Sequence, residues 1–466
     1  MNYASCAVVF IIVVSGTARA QSTQPEAGPD NPSEWYNLRQ DCSQLKKIAG
    51  CGQELFTGDP AHLAVGSIAP QNGLGLGPAY VGHKTTAAWR ITWNADAIES
   101  FNTSWRAGGY MQLVHTPSEP TGVSFGPPPS STSNPTTPLE HSVIGLYGQR
   151  MTLNELTYFG LGPGTTTAGH SLYGMTESIL GANVVKPVGG PLKTAFYAEL
   201  NGRFVEIRNS KEAGTPTQAL YTEASTPGLT TQPGTLQAGE GLRIRPVMFD
   251  DLLRLNYNVT YQQYVAPSNS VFSFQRLTFD LGHQFALYGK TTRLLVPRAG
   301  NGPDSCWVDP GSEHPKCTTV SRNREGSINL RLLSVFSMTQ GSNVVPFYFQ
   351  PTLGGSDING NAALSAYQDY RFRAPDLLLT QESFEHSIAD LPVGVLLMAE
   401  QGTLALTRSG LGSSPWVHSF SAGVTVRAGG FPAMTLLFSW GGNEGTHTIA
   451  NVNTSLLGGS ARPSLF

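Results

Sequence analysis

The chain has 466 residues, enough for a large core or a large barrel. Only 13% of these are Asp, Glu, Lys or Arg, against about 25% in a typical soluble domain. Hydrophobic residues make up 40%, so neutral polar residues and glycine take the place of charge. The net charge of −3 argues against a nucleic-acid partner, and the sequence lacks the long apolar runs of a helical membrane protein.

The N-terminus has the layout of a secretory signal peptide. A short apolar core, Ala7 to Val14, precedes the small-x-small sequence Ala18-Arg19-Ala20. This core is too short to cross a bilayer, which takes about 20 apolar residues. We therefore predict a signal peptide over residues 1–20 and export of the remainder.

Four cysteines follow this cleavage site in two pairs that are close in sequence, Cys42 with Cys51 and Cys306 with Cys317. An exported protein can oxidise both pairs, so we predict two local disulfides. Zinc is the alternative, but only His314 lies near the second pair. We therefore expect neither a metal nor a cofactor.

Residues 21–60 are predicted to form a periplasmic segment with one short helix. Between Ser33 and Ala49, apolar and small residues recur on one helical face, and Gly50 is a natural stop.

From residue 61 to residue 466 the sequence alternates with a period of two, as half-buried β-strands do. Between Leu253 and Tyr261, for example, Leu, Leu, Tyr, Val and Tyr alternate with Arg, Asn, Asn and Thr. A soluble sandwich, the alternative, would carry many Lys and Glu on its outer face. Neutral polar groups suit a water-filled lumen whose opposite face meets lipid. The fold class predicted is all-β, a transmembrane antiparallel β-barrel over residues 61–466.

About sixteen strands are predicted, an even number that fits a bacterial single-chain barrel. One long strand over 142–161 is the alternative to two shorter ones, and the Gly-, Pro- and Thr-rich segment 209–250 is predicted to be a loop with a turn of strand near Leu242 to Val247. The predicted strands lie at 62–68, 73–81, 87–98, 104–116, 142–151, 153–161, 170–187, 192–208, 253–265, 271–288, 327–338, 369–388, 392–406, 417–428, 433–441 and 446–456.

A late loop, residues 351–373, carries the most informative motif. It contains Gly354-Gly355-Ser356-Asp357, then Leu364-Ser365-Ala366-Tyr367, then Tyr370-Arg371-Phe372-Arg373. This order resembles the inward-folded sixth loop of BamA/TamA-type outer-membrane barrels, the bacterial surface antigen family. In that family a Gly-Gly turn precedes a Leu/Val-Arg-Gly-Tyr/Phe motif, and its arginine reaches acidic groups on the barrel wall. The resemblance implies an inward-folded plug loop here.

The chain departs from the family at Ser365-Ala366, which stand where the family has Arg-Gly. Serine cannot make the bidentate contact that arginine makes with a carboxylate. We therefore expect Arg371 or Arg373 to hold the loop by pairing with Glu382 or Glu400 on the barrel wall. The alternative is that both glutamates are ordinary carboxylates of the lumen.

Other features follow the family in order along the chain. Glu382 matches an acidic residue in the strand after the loop, and Glu400-Gln401-Gly402 resembles an Asp-Ala-Gly sequence on the next strand. Ser439 to Thr446 resembles the turn before the closing strand. Phe466 matches the terminal aromatic residue that serves such barrels as an assembly signal.

The resemblance implies a barrel-only member of this superfamily in a bacterial outer membrane. About forty residues separate the predicted cleavage site from the first strand, too few for a periplasmic POTRA module. We expect a monomer that contacts outer-membrane lipids and client proteins, binds no nucleic acid, and assists protein insertion or translocation. A passive channel or a structural surface protein without insertase activity is the alternative. The histidines and cysteines show no catalytic spacing, so we expect no enzymatic activity.

Overall fold

The computed structural model describes residues 60–116, 141–189, 192–295, 317–388, 391–428, 431–442, 444 and 446–452. The predicted signal peptide, the predicted helix between Ser33 and Ala49, and Phe466 lie outside the described residues. So do Cys42, Cys51 and Cys306, while only the backbone of Cys317 is described. The two disulfides therefore stay predictions.

The described chain is dominated by one antiparallel sheet of 17 strands, of which one is the two-residue segment Val247–Met248. The other sixteen form the wall. They are β1 (Ala61–Ser67), β2 (Leu74–Thr85), β3 (Trp89–Ser100), β4 (Trp105–His115), β5 (Val143–Tyr158), β6 (Ser171–Gly189), β7 (Thr194–Asn209), β8 (Thr235–Ile244), β9 (Leu253–Val265), β10 (Phe274–Leu295), β11 (Cys317–Met338), β12 (Asp376–Ser387), β13 (Val393–Ala405), β14 (Val417–Ala428), β15 (Phe431–Trp440) and β16 (Thr446–Val452).

Each wall strand pairs antiparallel with the next one along the chain, from β1 through to β16. The described residues therefore contain sixteen wall strands, the number predicted, but two errors cancel in that number. Residues 142–151 and 153–161 belong to the single strand β5. The segment predicted to be a loop contains β8, which the prediction missed.

Two glycines explain why the alternating pattern of the sequence did not predict β8. Gly239 and Gly241 interrupt its alternation, and glycine is depleted in strand interiors. Atoms of the neighbouring strands lie close to both glycines. A Cβ on Gly239 would lie 2.7 Å from a carboxylate oxygen of Glu199, and one on Gly241 would lie 2.8 Å from the carbonyl oxygen of Val259.

The two faces of the sheet differ in chemistry. One face is exposed and apolar, with side chains that include Leu180, Phe196, Leu200, Phe204, Ile328, Leu330, Leu332, Phe384, Leu397, Phe420, Val424 and Phe438. The other face is buried and polar, with side chains that include Gln149, Glu177, Asn201, Arg203, Gln237, Arg276, Ser327, Glu385, Glu400, Ser419 and Thr425. An apolar outer face around a polar interior is the arrangement of outer-membrane barrels.

The plug loop, residues 351–373, lies inside the sheet and is touched from both halves of the wall. Thr157 of β5 donates to the main-chain carbonyl of Asp369 at 2.8 Å, whereas Ser419 of β14 accepts from the main-chain N–H of Ala366 at 2.9 Å. A sheet that contacts one buried loop with both early and late strands is curled around it. The fold is thus a transmembrane antiparallel β-barrel with an inward-folded loop, as predicted.

The helices among the described residues are short. They are the α-helix Thr217–Leu220 and the 3₁₀ turns Thr167–Gly169, Ser270–Phe272, Phe347–Phe349 and Arg408–Gly412. In this part of the chain no helix has the length and apolar character needed to cross a membrane.

An aromatic cap packs directly before the plug loop. Its centre is the 3₁₀ turn Phe347–Phe349, whose three rings are fully buried. Phe347 packs edge-on against Tyr158 of β5 and Tyr173 of β6, each at a centroid distance of 5.3 Å. Phe349 contacts Tyr264 of β9, also at 5.3 Å. The cap therefore joins three strands of the wall to the start of the plug loop.

The hairpin of β10 and β11 is longer than its neighbours, since each of its strands has 22 residues. Strand β9 pairs with β10 as far as Phe285, and β12 pairs with β11 as far as Gly326. Beyond these positions the two strands pair only with each other in the described part of the chain, and the register shifts between Leu287 and Tyr288. We call residues 288–295 and 317–324 the extended ribbon; at its base the hydroxyl of Tyr288 donates to Asp251 Oδ2 at 2.8 Å.

Candidate functional site

The plug loop begins with a Gly-Gly turn that other residues cannot replace without strain. Gly354 and Gly355 have φ angles of 108° and 59°, the region that favours glycine. A Cβ on Gly354 would lie 2.5 Å from the Cβ of Arg371, and one on Gly355 would lie 2.3 Å from an oxygen of Asp369. The turn thus allows both ends of the loop to approach closely.

The motif Leu364-Ser365-Ala366-Tyr367 is held through its backbone. The N–H of Ser365 donates to Glu400 Oε2 at 2.6 Å, and Gln381 Nε2 donates to Glu400 Oε1 at 2.7 Å. Gln381 Nε2 also donates to the carbonyl of Ala362 at 2.8 Å. Glu400, which is 1% exposed, therefore binds the position where the resembled family has arginine, but it binds main chain.

Glu400 is the last member of a polar chain along the wall. Arg331 of β11 donates through Nε to Asp280 Oδ1 of β10 at 2.8 Å and through Nη1 to Gln381 Oε1 of β12 at 2.9 Å. Gln381 then donates to Glu400 of β13, and Glu400 accepts a hydrogen bond from the N–H of Ser365. Four neighbouring strands are in this way connected to the plug loop.

Glu382 does not contact the plug loop. It pairs in register with Leu330, whose side chain is exposed on the outer face, and it is itself exposed. The prediction that it is an inward-facing partner is wrong, because side chains alternate along a strand and the inward position is that of Gln381. Gln381, which contacts Arg331 on one side and Glu400 on the other, occupies the inward position that was predicted for Glu382.

Arg371 pairs with a carboxylate, but not with the one predicted. Its Nε donates to both oxygens of Glu444, at 2.7 and 2.9 Å. Its Nη1 and Nη2 donate to the hydroxyl and the carbonyl of Thr165, at 2.9 and 2.8 Å. Arg371 also lies over the rings of Phe159 and Phe372, at 4.8 and 4.5 Å. Because Glu444 precedes β16, Arg371 links the plug loop to the last strand.

Arg373 pairs with no carboxylate among the described residues. Its Nη1 donates to the carbonyl of Phe347 at 2.7 Å, and its Nη2 donates to the hydroxyl of Tyr173 at 3.3 Å. The predicted pairing of Arg371 or Arg373 with Glu382 or Glu400 is therefore wrong. Arg373 instead holds the aromatic cap.

The apolar residues of the motif form a second core. Leu364 is fully buried with a φ of 58°, a backbone strain that the surrounding contacts sustain. Tyr367 packs edge-on against Phe372 at 5.2 Å, and its hydroxyl lies against Gly442. A Cβ on Gly442 would lie 1.9 Å from that hydroxyl, so the turn before β16 fits closely onto the plug loop.

The first and last of the described strands, β1 and β16, lie on either side of a seam. No ladder pairs β1 with β16 in the described residues, where each has seven residues, the shortest of the wall. Between them lies a cavity of about 740 Å³, which we call the seam cavity. It is lined by Val65 to Ser67 of β1, His447 to Ile449 of β16, the β1–β2 turn, and plug-loop residues from Gly355 to Asp369.

Asp369 is the carboxylic acid of the plug loop that lines the seam cavity. Burial raises the pKa of its carboxyl, while the N–H of Ser356 and the charge of His447 act in the opposite direction. The Ser356 N–H donates to Asp369 Oδ1 at 2.7 Å. Nε2 of His447 is buried and has no hydrogen-bond partner among the described residues. The cavity thus holds polar groups that a strand or a side chain could bind.

Sequence reasoning missed three parts of this site. The run Val344-Val-Pro-Phe-Tyr-Phe349, which forms the aromatic cap, was visible as an apolar cluster outside any strand. The sequence pattern indicates only that Glu444 belongs to a turn, and nothing in its neighbours indicates its partner. Asp369 and His447 are 78 positions apart in the sequence, so only the fold brings them to one cavity.

Comparison with known proteins adds limited information. No family model matches the sequence. No curated protein matches it. Among solved structures the chain is similar to CdiB from Acinetobacter baumannii, at 9% identity and a TM-score of 0.43, with 87% of this chain and 67% of that chain covered.

Two further similar structures come from other bacteria. BamA from Haemophilus ducreyi lacking POTRA domains 1–3 has 7% identity and a TM-score of 0.45, with 89% of this chain and 81% of that chain covered. CdiB from Escherichia coli has 10% identity and a TM-score of 0.46, with 83% of this chain covered and less than two thirds, 61%, of that chain. Identities this low carry over no activity, so function rests on this chain's own residues.

Proposed function

We propose that this protein assists the insertion or translocation of other proteins at a bacterial outer membrane. The observation that carries the proposal is the seam between β1 and β16. Unpaired strand edges are templates for the addition of another strand. A client strand that pairs with β1 or β16 would form main-chain hydrogen bonds with that strand before it inserts into the bilayer.

The direction of the hydrogen-bonding groups on β1 supports this role. The N–H of Ile68 donates to the carbonyl of Gly73 within the β1–β2 hairpin. Because these directions alternate along a strand, the N–H groups of Ala61, Leu63, Val65 and Ser67 point away from β2 and toward the seam. Four donors of β1 are thus presented at the seam.

The plug loop is connected to the same seam. Arg371 binds Glu444 and Tyr367 packs on Gly442, both in the turn before β16. On the other side, the hydroxyl of Tyr370 donates to the carbonyl of Pro70 in the β1–β2 turn at 3.2 Å. We propose that the plug loop sets the separation of β1 and β16.

The proposed activity requires no covalent chemistry. We propose that the protein is not an enzyme, works as a monomer among outer-membrane lipids, and meets its clients transiently. Burial of a client's apolar strand face in the bilayer supplies the driving force.

The test is depletion of the protein in its own bacterium, with quantification of the outer-membrane and surface proteome. Loss of a defined set of barrel or secreted proteins supports the proposal and names the clients. An unchanged proteome contradicts it and favours a passive channel or a structural surface protein.

Complementation with seam variants localises the effect. Val65→Pro removes one edge donor of β1 and leaves the β1–β2 ladder intact, because that N–H faces the seam. Val65→Ile keeps the donor and serves as the matched control. The proposal expects the client proteins to return with Val65→Ile and to stay depleted with Val65→Pro.

A photo-cross-linking amino acid provides direct contact information. Placed at Val65 or Ile449, it should form adducts with the proteins that depletion identified. Leu397, 47% exposed on the outer face of β13 within a fully paired part of the wall, is the control position. Equal adducts at all three positions would show contact with the barrel exterior and contradict a role of the seam.

A further inference from the structure

A second cavity lies on the opposite side of the plug loop from the seam. Its volume is about 360 Å³, at the lower end of the range of small-molecule sites. The inner faces of β6 to β12 form one side, and plug-loop residues, among them Thr352 and Asn359, form the other. It shares no lining residue with the seam cavity. We call it the lumenal cavity.

The lining of the lumenal cavity is rich in arginine. Five arginines line it, Arg203, Arg243, Arg276, Arg331 and Arg373, against two carboxylates, Glu199 and Asp357. Arg203 has the partner Glu177 at 3.0 Å, and Arg331 has the partner Asp280 at 2.8 Å.

Arg276 and Arg373 differ from these two. They are 4% and 5% exposed, and neither forms an ion pair among the described residues. Arg276 Nη2 donates to the carbonyl of Phe349, and Arg373 donates to neutral oxygens of Phe347 and Tyr173. The Nε atoms of both arginines are buried without a hydrogen-bond partner in the described structure.

Besides neutral acceptors, the two guanidinium groups contact aromatic rings, Tyr264 and Phe274 at Arg276 and Phe347 at Arg373. A buried cation without a counter-charge is unfavourable, and an anion in the cavity would supply that charge. The guanidinium fork matches an oxyanion in geometry as well as in charge.

The two carboxylates of the cavity already have donors of their own. Glu199 accepts from Tyr197, Gln237 and Gln262, each at 2.7 Å. Asp357 accepts from the N–H groups of Asn359 and Asn361 and from the side chain of Asn361. The acceptors are thus engaged, whereas donors of Arg276 and Arg373 are not.

We propose that the lumenal cavity binds a small tetrahedral oxyanion of the phosphate or sulfate class between Arg276 of β10 and Arg373 of the plug loop. The cavity lies inside the barrel and away from the lipid-facing surface, so the ligand is a soluble anion and not a lipid headgroup. Because one arginine belongs to the wall and the other to the loop, the bound anion fastens the plug loop to the wall.

The test is titration calorimetry of the full chain in detergent micelles, with inorganic phosphate as the probe and ionic strength held constant with chloride. Wild-type protein should give saturable binding. Arg276→Gln and Arg373→Gln should each weaken it by about tenfold or more, a change of roughly 1.4 kcal/mol. Arg254→Gln, which removes an arginine of β9 outside this cavity, should leave the affinity unchanged.

Hydrogen exchange provides the second readout. Phosphate should slow exchange in residues 351–373 of the wild-type protein and have no such effect in Arg276→Gln. If Arg276→Gln loses its β-sheet circular dichroism, Arg276→Lys replaces it, because lysine keeps the charge and lacks the fork. Absence of saturable binding to wild-type protein, or equal affinity in the folded arginine variants, would overturn the proposal. Either result leaves the seam proposal untouched, since the two cavities share no residue.

Discussion

Arg371 and Glu444 form a buried ion pair across 73 positions of sequence, with Nε of the arginine 2.7 and 2.9 Å from the two carboxylate oxygens. Their side chains are 3% and 15% exposed. The same guanidinium binds Thr165 in the β5–β6 connection. A single side chain therefore joins the plug loop, the early half of the wall and the turn that leads into β16.

Loss of this pair should loosen the plug loop. In Glu444→Gln the arginine stays buried and loses its charged partner, so we expect the opening free energy of residues 351–373 to fall by about 2 kcal/mol. Native-state hydrogen exchange measures that energy. A double-mutant cycle with Arg371→Gln should give a coupling of about 1–3 kcal/mol, and a coupling near zero would show that the pair is incidental.

Glu400 and Glu382 offer a matched comparison, since both are glutamates on adjacent strands. Glu400→Gln weakens the charge-assisted bonds to Ser365 and Gln381, and we expect a loss of about 1–3 kcal/mol in unfolding free energy. Glu382→Gln should cause no such loss, because Glu382 lies on the outer face, away from the plug loop, and neutralising a charge on a lipid-facing surface does not destabilise a barrel. Chemical denaturation measures the unfolding free energies of both variants. Equal losses would mean that the bonds of Glu400 to the plug loop and Gln381 contribute no specific stability.

The Gly-Gly turn can be tested against a glycine of similar backbone conformation. Gly354 and Gly360 both have positive φ, 108° and 83°, but a Cβ would meet Arg371 and Gln368 at Gly354 and open space at Gly360. Gly360→Ala should cost about 1 kcal/mol from strain alone. Gly354→Ala should cost about 2 kcal/mol more from overlap. Thermal or denaturant unfolding of the two variants checks the difference, and similar values would argue against close packing of the loop ends.

Asp369 should make stability depend on pH. Because burial raises its pKa in the folded protein, the unfolded chain ionises first as pH rises above the ordinary value of 3.8. Stability from this group is full below that pH and falls until pH passes the folded pKa. Asp369→Asn retains the acceptor for the Ser356 N–H and does not titrate. The variant should therefore gain stability relative to wild type as pH rises through this window, and then keep a constant difference.

Unfolding free energies of both proteins over a pH series measure this effect. The comparison between wild-type protein and the Asp369→Asn variant can be repeated in a His447→Gln background, which removes the histidine charge that acts on Asp369. A stability difference that is independent of pH in both backgrounds would contradict the assignment.

Much of the barrel could be predicted from the sequence, because alternation with a period of two is a local signal. It placed β9 at its observed bounds, 253–265. It failed at β8, where Gly239 and Gly241 accommodate neighbouring strands that no local pattern reveals. The inward loop was also predictable from its ordered motif, including the departure at Ser365.

The partners within the site could not be predicted in the same way. The choice between Gln381 and Glu382 depends on strand register, and a shift of one residue exchanges the two faces. Arg371 meets Glu444 and not Glu400 because the loop turns at Gly354 and Tyr370, which has a φ of 60°. Such contacts depend on the path of the loop through three dimensions.

The extended ribbon, residues 288–295 paired with 317–324, continues two strands of the wall beyond the ends of their neighbours. An isolated pair of strands is marginally stable by itself, and the register shift at Leu287 and Tyr288 bends it where the neighbouring strands end. Its far end leads to the segment that contains Cys306, so the predicted bridge from Cys306 to Cys317 would close the ribbon at its tip. The ribbon is continuous with β10 and β11, which carry Arg276 and Arg331 in the wall that faces the plug loop. A displacement of the ribbon would therefore act on the two strands that line the lumenal cavity.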